Sequence, residues 1–309
     1  MNIKKFFLSL SITVLVLALA MIAYLLFVPM SDDFDNFLDT PESDKVNILV
    51  VGVDKDGVRS DVNMVVSVDP AEMTINLLSV PRDTKVTLGN KKTTKINSCI
   101  GRENGNELLI EKIKELTGLP IHHFCKLNFE AVRNIVDILG GVEFDVPIDM
   151  DYDDPYQDLH IHIKKGVQTL DGEDAEGLLR FRSGYANADL GRINTQQEFL
   201  KEMLKQKLSL KYLIKSPAII GEVTKNLDTN MSGVYMLKYA LKFRDGDKVS
   251  FNTYTLPGSS KTIGGASYYI CNEAQTRELI ENEFGFVDGS EISYYSSGDS
   301  ENLSEKVIE

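Results

Sequence analysis

Val46-Asn47-Ile48-Leu49-Val50-Val51-Gly52-Val53, closed by Asp54, is the stretch on which the fold turns. It is short, rich in β-branched residues and almost wholly apolar, the signature of a strand buried on one or both faces. Two runs of the same kind follow at Val62 to Val68 and Thr74 to Val80. Helical periodicity then begins. Asn106 to Leu116 carries Leu108, Leu109, Ile113 and Leu116 on one side, with Gly118 as its stop. His122 to Asn128 reads as a strand, Phe129 to Leu139 as a helix ending at Gly140-Gly141, and Val142 to Val146 as a strand stopped by Pro147. Asp149 to Pro155 reads as an acidic loop and Gln168 to Leu179 as largely helical. A long helix is expected over Arg192 to Leu208, with Phe199, Leu200, Met203 and Leu204 in its apolar stripe. More helix is expected over Pro217 to Phe243, a strand over Val249 to Leu256 and a helix over Glu273 to Phe284. This alternation predicts an α/β fold: a single α-β-α sandwich domain with a mixed central sheet, spanning residues 45–295.

The N-terminus predicts a membrane anchor. Phe6 to Val28 is apolar apart from Ser9, Ser11 and Thr13, and about 20 such residues cross a bilayer as a helix. Lys4 and Lys5 precede the run, and Asp32, Asp33 and Asp35 follow it. The positive-inside rule keeps residues 1–5 cytoplasmic and exports everything after the transmembrane helix at 6–28. A cleaved signal peptide competes, since Ala18-Leu19-Ala20 resembles a cleavage site, but the apolar run continues well past it. Residues 29–44 are an acidic juxtamembrane spacer and 296–309 a polar, disordered tail.

A net charge of −13 excludes a nucleic-acid binder, which needs a basic surface. Cys99, Cys125 and Cys271 are odd in number and widely spaced. They lack the pairing of a zinc site and any catalytic context, so buried free thiols are expected, with one disulfide as the alternative. The acidic loop departs from a calcium-binding EF-hand, with Asp154 at the sixth position in place of glycine and His160 at the twelfth in place of glutamate. His160 and His162 share a face of the next expected strand, as many unliganded pairs do.

The chain holds nine arginines among 33 basic residues, and five of them fall in three short segments. These are Arg59-Ser60-Asp61, Pro81-Arg82-Asp83, and Arg180-Phe181-Arg182 followed by Asp189-Leu190-Gly191-Arg192. Arginine supplies a planar fork that grips phosphate bidentately, where lysine supplies a point charge. Any one segment could be an ordinary Asp–Arg structural pair; three together point to phosphate. Asp54 ends the first strand and Asp61 opens the second, so the two carboxylates are candidate ligands for Mg²⁺. Arg82 and Asp83 follow the third strand, with Lys95 soon after. Arg180 and Arg182 share a face if extended, and Arg192 and Gln196 share one on a helix whose N-terminus favours an anion. A carboxylate-bound metal ringed by arginines is, by charge, a diphosphate site.

These residues resemble the LytR-CpsA-Psr family. The resemblance rests on Asn47 to Asp54, Arg59-Ser60-Asp61, Ser79-Val80-Pro81-Arg82-Asp83 and Lys95-Ile96-Asn97. It continues through Leu139-Gly140-Gly141-Val142, Asp151 to Pro155, Leu170-Asp171-Gly172-Glu173, Arg180-Phe181-Arg182, and Asp189 to Arg192 with Gln196-Gln197. Order and spacing hold over Val46 to Leu204. The resemblance implies a membrane-anchored, extracellular phosphotransferase of a Gram-positive-type bacterium. It would move a glycopolymer from an undecaprenyl-pyrophosphate carrier onto peptidoglycan as a phosphodiester. Wall teichoic acid and capsule polysaccharide are among the polymers implied, and an apolar tunnel would hold the polyprenyl tail. The cofactor implied is Mg²⁺, or Mn²⁺. By motif, Asp54 and Asp61 would hold the metal, and Arg59, Arg82, Lys95, Arg180, Arg182, Arg192 and Gln196 would surround the diphosphate. Arg82, Arg180 and Arg182 would act in catalysis with Asp189, which either orients an arginine or helps deprotonate the acceptor hydroxyl.

Thr195 departs from the family, which places an arginine before the Gln-Gln pair, and Glu176 and Gly177 stand where relatives are apolar or bulky. Two other readings compete: a polyprenyl-pyrophosphate hydrolase, and a non-catalytic membrane-anchored lipid-diphosphate binder with a regulatory role.

Overall fold

The computed structural model describes residues 45–54, 56–89, 91–154, 159–185, 189–207, 227–243 and 248–285. The expected anchor, spacer and tail lie outside the described residues, as does 208–226. No helix among the described residues is long and apolar enough to cross a membrane.

The first strands are β1 (Val46–Val53), β2 (Ser60–Asp69), β3 (Thr74–Ser79), β4 (Lys85–Thr87) and β5 (Thr93–Lys95). Helix α1 (Gly105–Thr117), β6 (His123–Asn128), α2 (Phe129–Leu139) and β7 (Val142–Val146) follow. Next come β8 (Met150–Asp154), β9 (Leu159–Ile163), β10 (Gly166–Leu170), α3 (Gly172–Arg180) and α4 (Asp189–Lys207). The last elements are β11 (Leu227–Thr229), α5 (Gly233–Lys242), β12 (Ser250–Thr255), β13 (Gly258–Ile263), β14 (Ala266–Cys271) and α6 (Glu273–Phe284).

Six strands form the central sheet in the order β11-β6-β1-β2-β3-β12. The β1–β6 and β3–β12 pairs are parallel and the others antiparallel, so the sheet is mixed. Side chains alternate across it. Leu49, Val51, Val53, Val65 and Leu78 pack with Leu109 and Ile113 of α1 and Ile280 and Phe284 of α6. Met64, Val68 and Leu77 face the other way, toward Leu200 of α4, Tyr239 of α5 and Phe243. Helices on both faces make the three layers that the alternation predicts. A second core joins α2, α3 and Phe199 of α4 to the β7–β10 and β8–β9 ribbons.

Several expectations need correction. The acidic stretch is strand β8, because its backbone pairs in register with β9 while only Met150 of the five turns into the core. Its other side chains stay at or near solvent, so their charge does not oppose the pairing. The expected helix from Gln168 begins only at Gly172: Gly166–Leu170 pairs with β7, and the Asp171 carboxylate caps α3 by accepting from the Asp174 amide at 3.0 Å. Helix α4 starts at Asp189, before Arg192. In the stretch expected to be helical from Pro217, Leu227–Thr229 is a strand on β6, and α5 starts after a Ser232 cap. The β4–β5 and β13–β14 hairpins escaped the sequence reading. All three cysteines are free, and burial pushes the Cys125 thiol up to about 12.

Helices α2 and α3, which carry site residues, meet at Gly172. Its amide donates to Asp137 Oδ1 at 2.7 Å. A Cβ there would stand 2.3 Å from the Arg133 carbonyl oxygen and 2.7 Å from Asp137 Oδ2, closer than packed atoms tolerate. Gly172→Ala should lower stability by about 1–3 kcal/mol, read as a drop in melting temperature. Gly89→Ala, at a position with open space around it, should leave the melt unchanged.

Candidate functional site

Strand β1 runs into Asp54, whose Oδ1 accepts from the backbone amides of Val58 at 3.1 Å and Arg59 at 3.3 Å. This side-chain cap closes the turn that delivers Asp61 to the start of β2. The β1–β2 register shifts between Gly52 and Val53, an irregularity that re-aims side chains at a sheet's end. Beyond β3, Thr84 ties back to the Pro81 carbonyl through its hydroxyl at 2.6 Å, fixing the turn that carries Arg82. At the end of α3 the chain becomes extended at buried Phe181, so Arg180 and Arg182 flank an anchored aromatic ring.

Two carboxylates organise these arginines. Asp61 Oδ1 accepts from Arg82 Nη1 and Arg182 Nη2, each at 2.8 Å. Glu176, buried on α3, accepts from Arg180 Nη1 at 2.8 Å through Oε1. Its Oε2 takes Arg133 of α2 through Nη2 at 2.5 Å and Nε at 3.1 Å. This partner strengthens the hold of Arg133 on its proton. Arg180 also lies over the Phe129 ring, 5.2 Å from its centroid, a cation–π contact.

The groups line a cavity of about 810 Å³ that includes Asp54, Asp56, Asp61, Glu130, Arg133, Glu176, Arg180 and Arg182. Among the described residues, five carboxylates meet three lining guanidinium groups and Arg82, which reaches in to Asp61, leaving one negative charge in excess. Asp54 Oδ2 and Asp61 Oδ2 take no hydrogen bond or ion pair among the described residues. Mg²⁺ binds through one or two carboxylates and completes its shell with water and phosphate oxygens, so this donor set fits it.

The other candidates are not among the residues that line the cavity. Arg82 joins the site through Asp61. Arg59 is exposed and outside the cavity lining. Lys95 pairs with Asp83 at 3.1 Å. Arg192 is 2% exposed and, like Gln196, lies outside the cavity lining. Gln196 Nε2 donates to the Leu179 carbonyl at 2.9 Å, and Gln197 Nε2 donates to Ser79 Oγ at 2.9 Å and the Tyr254 carbonyl at 2.5 Å. The glutamine pair thus braces α4 against α3, β3 and β12. Thr195 is buried, with its hydroxyl on the Gly191 carbonyl at 3.1 Å. Asp189 opens α4, and its side chain lies outside the described residues. Sequence reasoning passed over Arg133. Its signals were its place one turn after Phe129 on α2 and the Glu176 it pairs with, 43 residues away.

Glu176 and Arg133 should differ sharply on mutation. Arg133 is 46% exposed, so Arg133→Ala should cost no more than about 1 kcal/mol in urea unfolding. Glu176→Ala removes the buried carboxylate that two guanidinium groups share and should cost about 3 kcal/mol. Equal costs would show that Glu176 contributes nothing beyond its pair with Arg133, against its sharing between two guanidinium groups.

The LytR_cpsA_psr family matches residues 30–284. The teichoic acid transferase TagV of Bacillus subtilis strain 168, named as a polyisoprenyl-teichoic acid–peptidoglycan transferase, is 28% identical over 72% of this chain. The chain spans 58% of that relative's length. The solved structure of B. subtilis TagV shares 25% identity and superimposes with a TM-score of 0.67, covering 79% of this chain and 99% of that one. TagT bound to LIIa-WTA shares 26% identity with a TM-score of 0.63, over 80% of this chain and 93% of that one. The chain belongs to the LytR-CpsA-Psr family.

Proposed function

We propose that this protein is a glycopolymer–peptidoglycan phosphotransferase. It takes a teichoic-acid-like or capsular polymer from an undecaprenyl-pyrophosphate carrier and joins it to peptidoglycan through a phosphodiester. The observation that carries this reading is the convergence of Arg82 and Arg182 on one oxygen of Asp61, beside Arg180 and Arg133 on Glu176. The transferase names of the relatives support it. So does the apolar strip that starts next to Asp61, where Val62, Val66, Ile48 and Leu200 are only partly buried and offer a polyprenyl tail a surface. The N-terminal apolar run would anchor the chain as a single pass and keep the domain outside the cell, beside its lipid substrate.

The cavity's excess negative charge would repel a diphosphate diester, itself carrying two negative charges, unless a divalent cation entered with it. Mg²⁺ or Mn²⁺ on Asp54 and Asp61 would supply that neutralisation and polarise the phosphoryl oxygens. The arginines do the rest. Arg182, 51% exposed, can swing from Asp61 to an arriving phosphate; Arg180, held between Glu176 and Phe129, is preorganised. An acceptor hydroxyl, such as one on muramic acid, attacks the sugar-proximal phosphorus. A new P–O bond forms, the bond to the bridging oxygen breaks, and undecaprenyl phosphate leaves with that electron pair while the hydroxyl proton passes to solvent or a base. Positioning and charge stabilisation carry such a transfer without a protein nucleophile.

The test mixes the full chain in detergent with a short-chain polyprenyl-diphosphate-linked sugar, peptidoglycan fragments and Mg²⁺. The sugar–phosphate–peptidoglycan adduct should form, and Arg82→Ala and Asp61→Ala should each slow it roughly 100-fold or more. Inorganic or lipid phosphate released without adduct would replace the transferase with a hydrolase. Lipid binding without turnover would leave a binding protein.

A further inference from the structure

The β8–β9 ribbon turns one face to the cavity, through Tyr152 and Leu159, and carries a second cluster on its outer face. Register places Asp153 opposite His160 and Asp151 opposite His162. That register is pinned, because Met150, Leu159, Ile161 and Ile163 are buried and a one-residue slip would turn them to solvent. The outward set is therefore as fixed as the core. Asp153 Oδ1 lies 2.5 Å from His160 Nδ1 and 3.5 Å from His162 Nε2. His162 Nδ1 lies 2.8 Å from Asp151 Oδ1.

From this arrangement we propose that Asp153, His160 and His162 form a binding site for a borderline divalent metal of the Zn²⁺ class, with Asp151 as its orienting carboxylate. Two imidazoles and a carboxylate are a ligand set of zinc sites that keep an open fourth position, here for water. Ligands about 2.0 Å from a tetrahedral zinc stand about 3.3 Å apart, near the separation already present between His162 and Asp153. The His160–Asp153 bond must lengthen to admit the ion, and both side chains are more than half exposed and able to move. The Asp151 contact is what distinguishes the cluster from a plain ion-pair ladder. With Nδ1–H donated to that carboxylate, His162 turns the lone pair of Nε2 toward Asp153, the carboxylate–histidine–metal arrangement of known sites. Mg²⁺ and Ca²⁺ prefer all-oxygen shells, so the two imidazoles separate this site from the one at Asp54 and Asp61. A bound ion would staple β8 to β9 and stiffen one wall of the cavity.

Calorimetric titration of Zn²⁺ into the untagged full chain, in detergent with millimolar Mg²⁺ present, tests the assignment. Zn²⁺ should bind at one equivalent, and bound Co²⁺ should show ligand-field absorption of nitrogen–oxygen coordination. His162→Ala, His160→Ala and Asp153→Ala should each abolish that equivalent, while Asp151→Asn should weaken it about 10–100-fold. Because these side chains are exposed, the variants should melt like wild type in the presence of a chelator. Unchanged Zn²⁺ binding in the His160→Ala/His162→Ala double variant would overturn the site, as would displacement of Zn²⁺ by the Mg²⁺.

Discussion

A single carboxylate oxygen, Asp61 Oδ1, holds guanidinium groups that arrive from 21 and 121 residues away. Positive charges converging on one cavity repel each other unless an anion stands between them. Asp61 is that anion for Arg82 and Arg182, and Glu176 plays the same part for Arg180 and Arg133. The start of β2, the turn after β3 and the end of α3 therefore have to meet at one point. The Gln196 and Gln197 side chains reinforce that meeting by tying α4 to the ends of α3, β3 and β12.

Neutralisation has a chemical consequence. Under the proposed function, an entering phosphate would compete with carboxylates for the same guanidinium groups, which would favour a ligand that brings several negative oxygens and a cation together. Arg182 is half exposed and Arg180 largely shielded, so the first has room to move and the second is fixed in place. Glu176 alters the balance in this chain. It adds a negative charge to the cavity lining and holds Arg133 of α2 there. Thr195 is buried and bonded to its own helix.

Much of this was legible in the sequence, and the failures have physical reasons. The sheet's central strands announced themselves because they are buried on both sides and carry long β-branched runs, as at Val46–Val53. Asp54, Asp61, Arg82, Arg180 and Arg182 could be grouped because strand and helix ends concentrate at one edge of such a sheet. Strand β8 was unreadable because Asp151, Asp153 and Asp154 oppose strand propensity, and only the alternation in Leu159–Ile163 across from them supplies the pairing. Likewise Gly166–Leu170 has a strand's place only once β7 is known to lie beside it. Arg192 and Gln196 have the chemistry for an anion; both are buried, and no local pattern in the sequence announces that burial. Arg133 depended on a contact between two helices far apart in the chain.

The central claim is that these arginines and carboxylates form a diphosphate site that fills together with a divalent cation. Calorimetric titration of the full chain with a short-chain polyprenyl diphosphate, with and without Mg²⁺, tests it directly, with the matching monophosphate as the comparison ligand. The diphosphate should bind at least about 100-fold more tightly with Mg²⁺ than without, given charge stabilisation on the scale of a few kcal/mol. It should bind more tightly than the monophosphate, and Arg182→Ala should remove most of that preference. Equal affinity with and without Mg²⁺, or equal affinity for the two ligands, would contradict the claim.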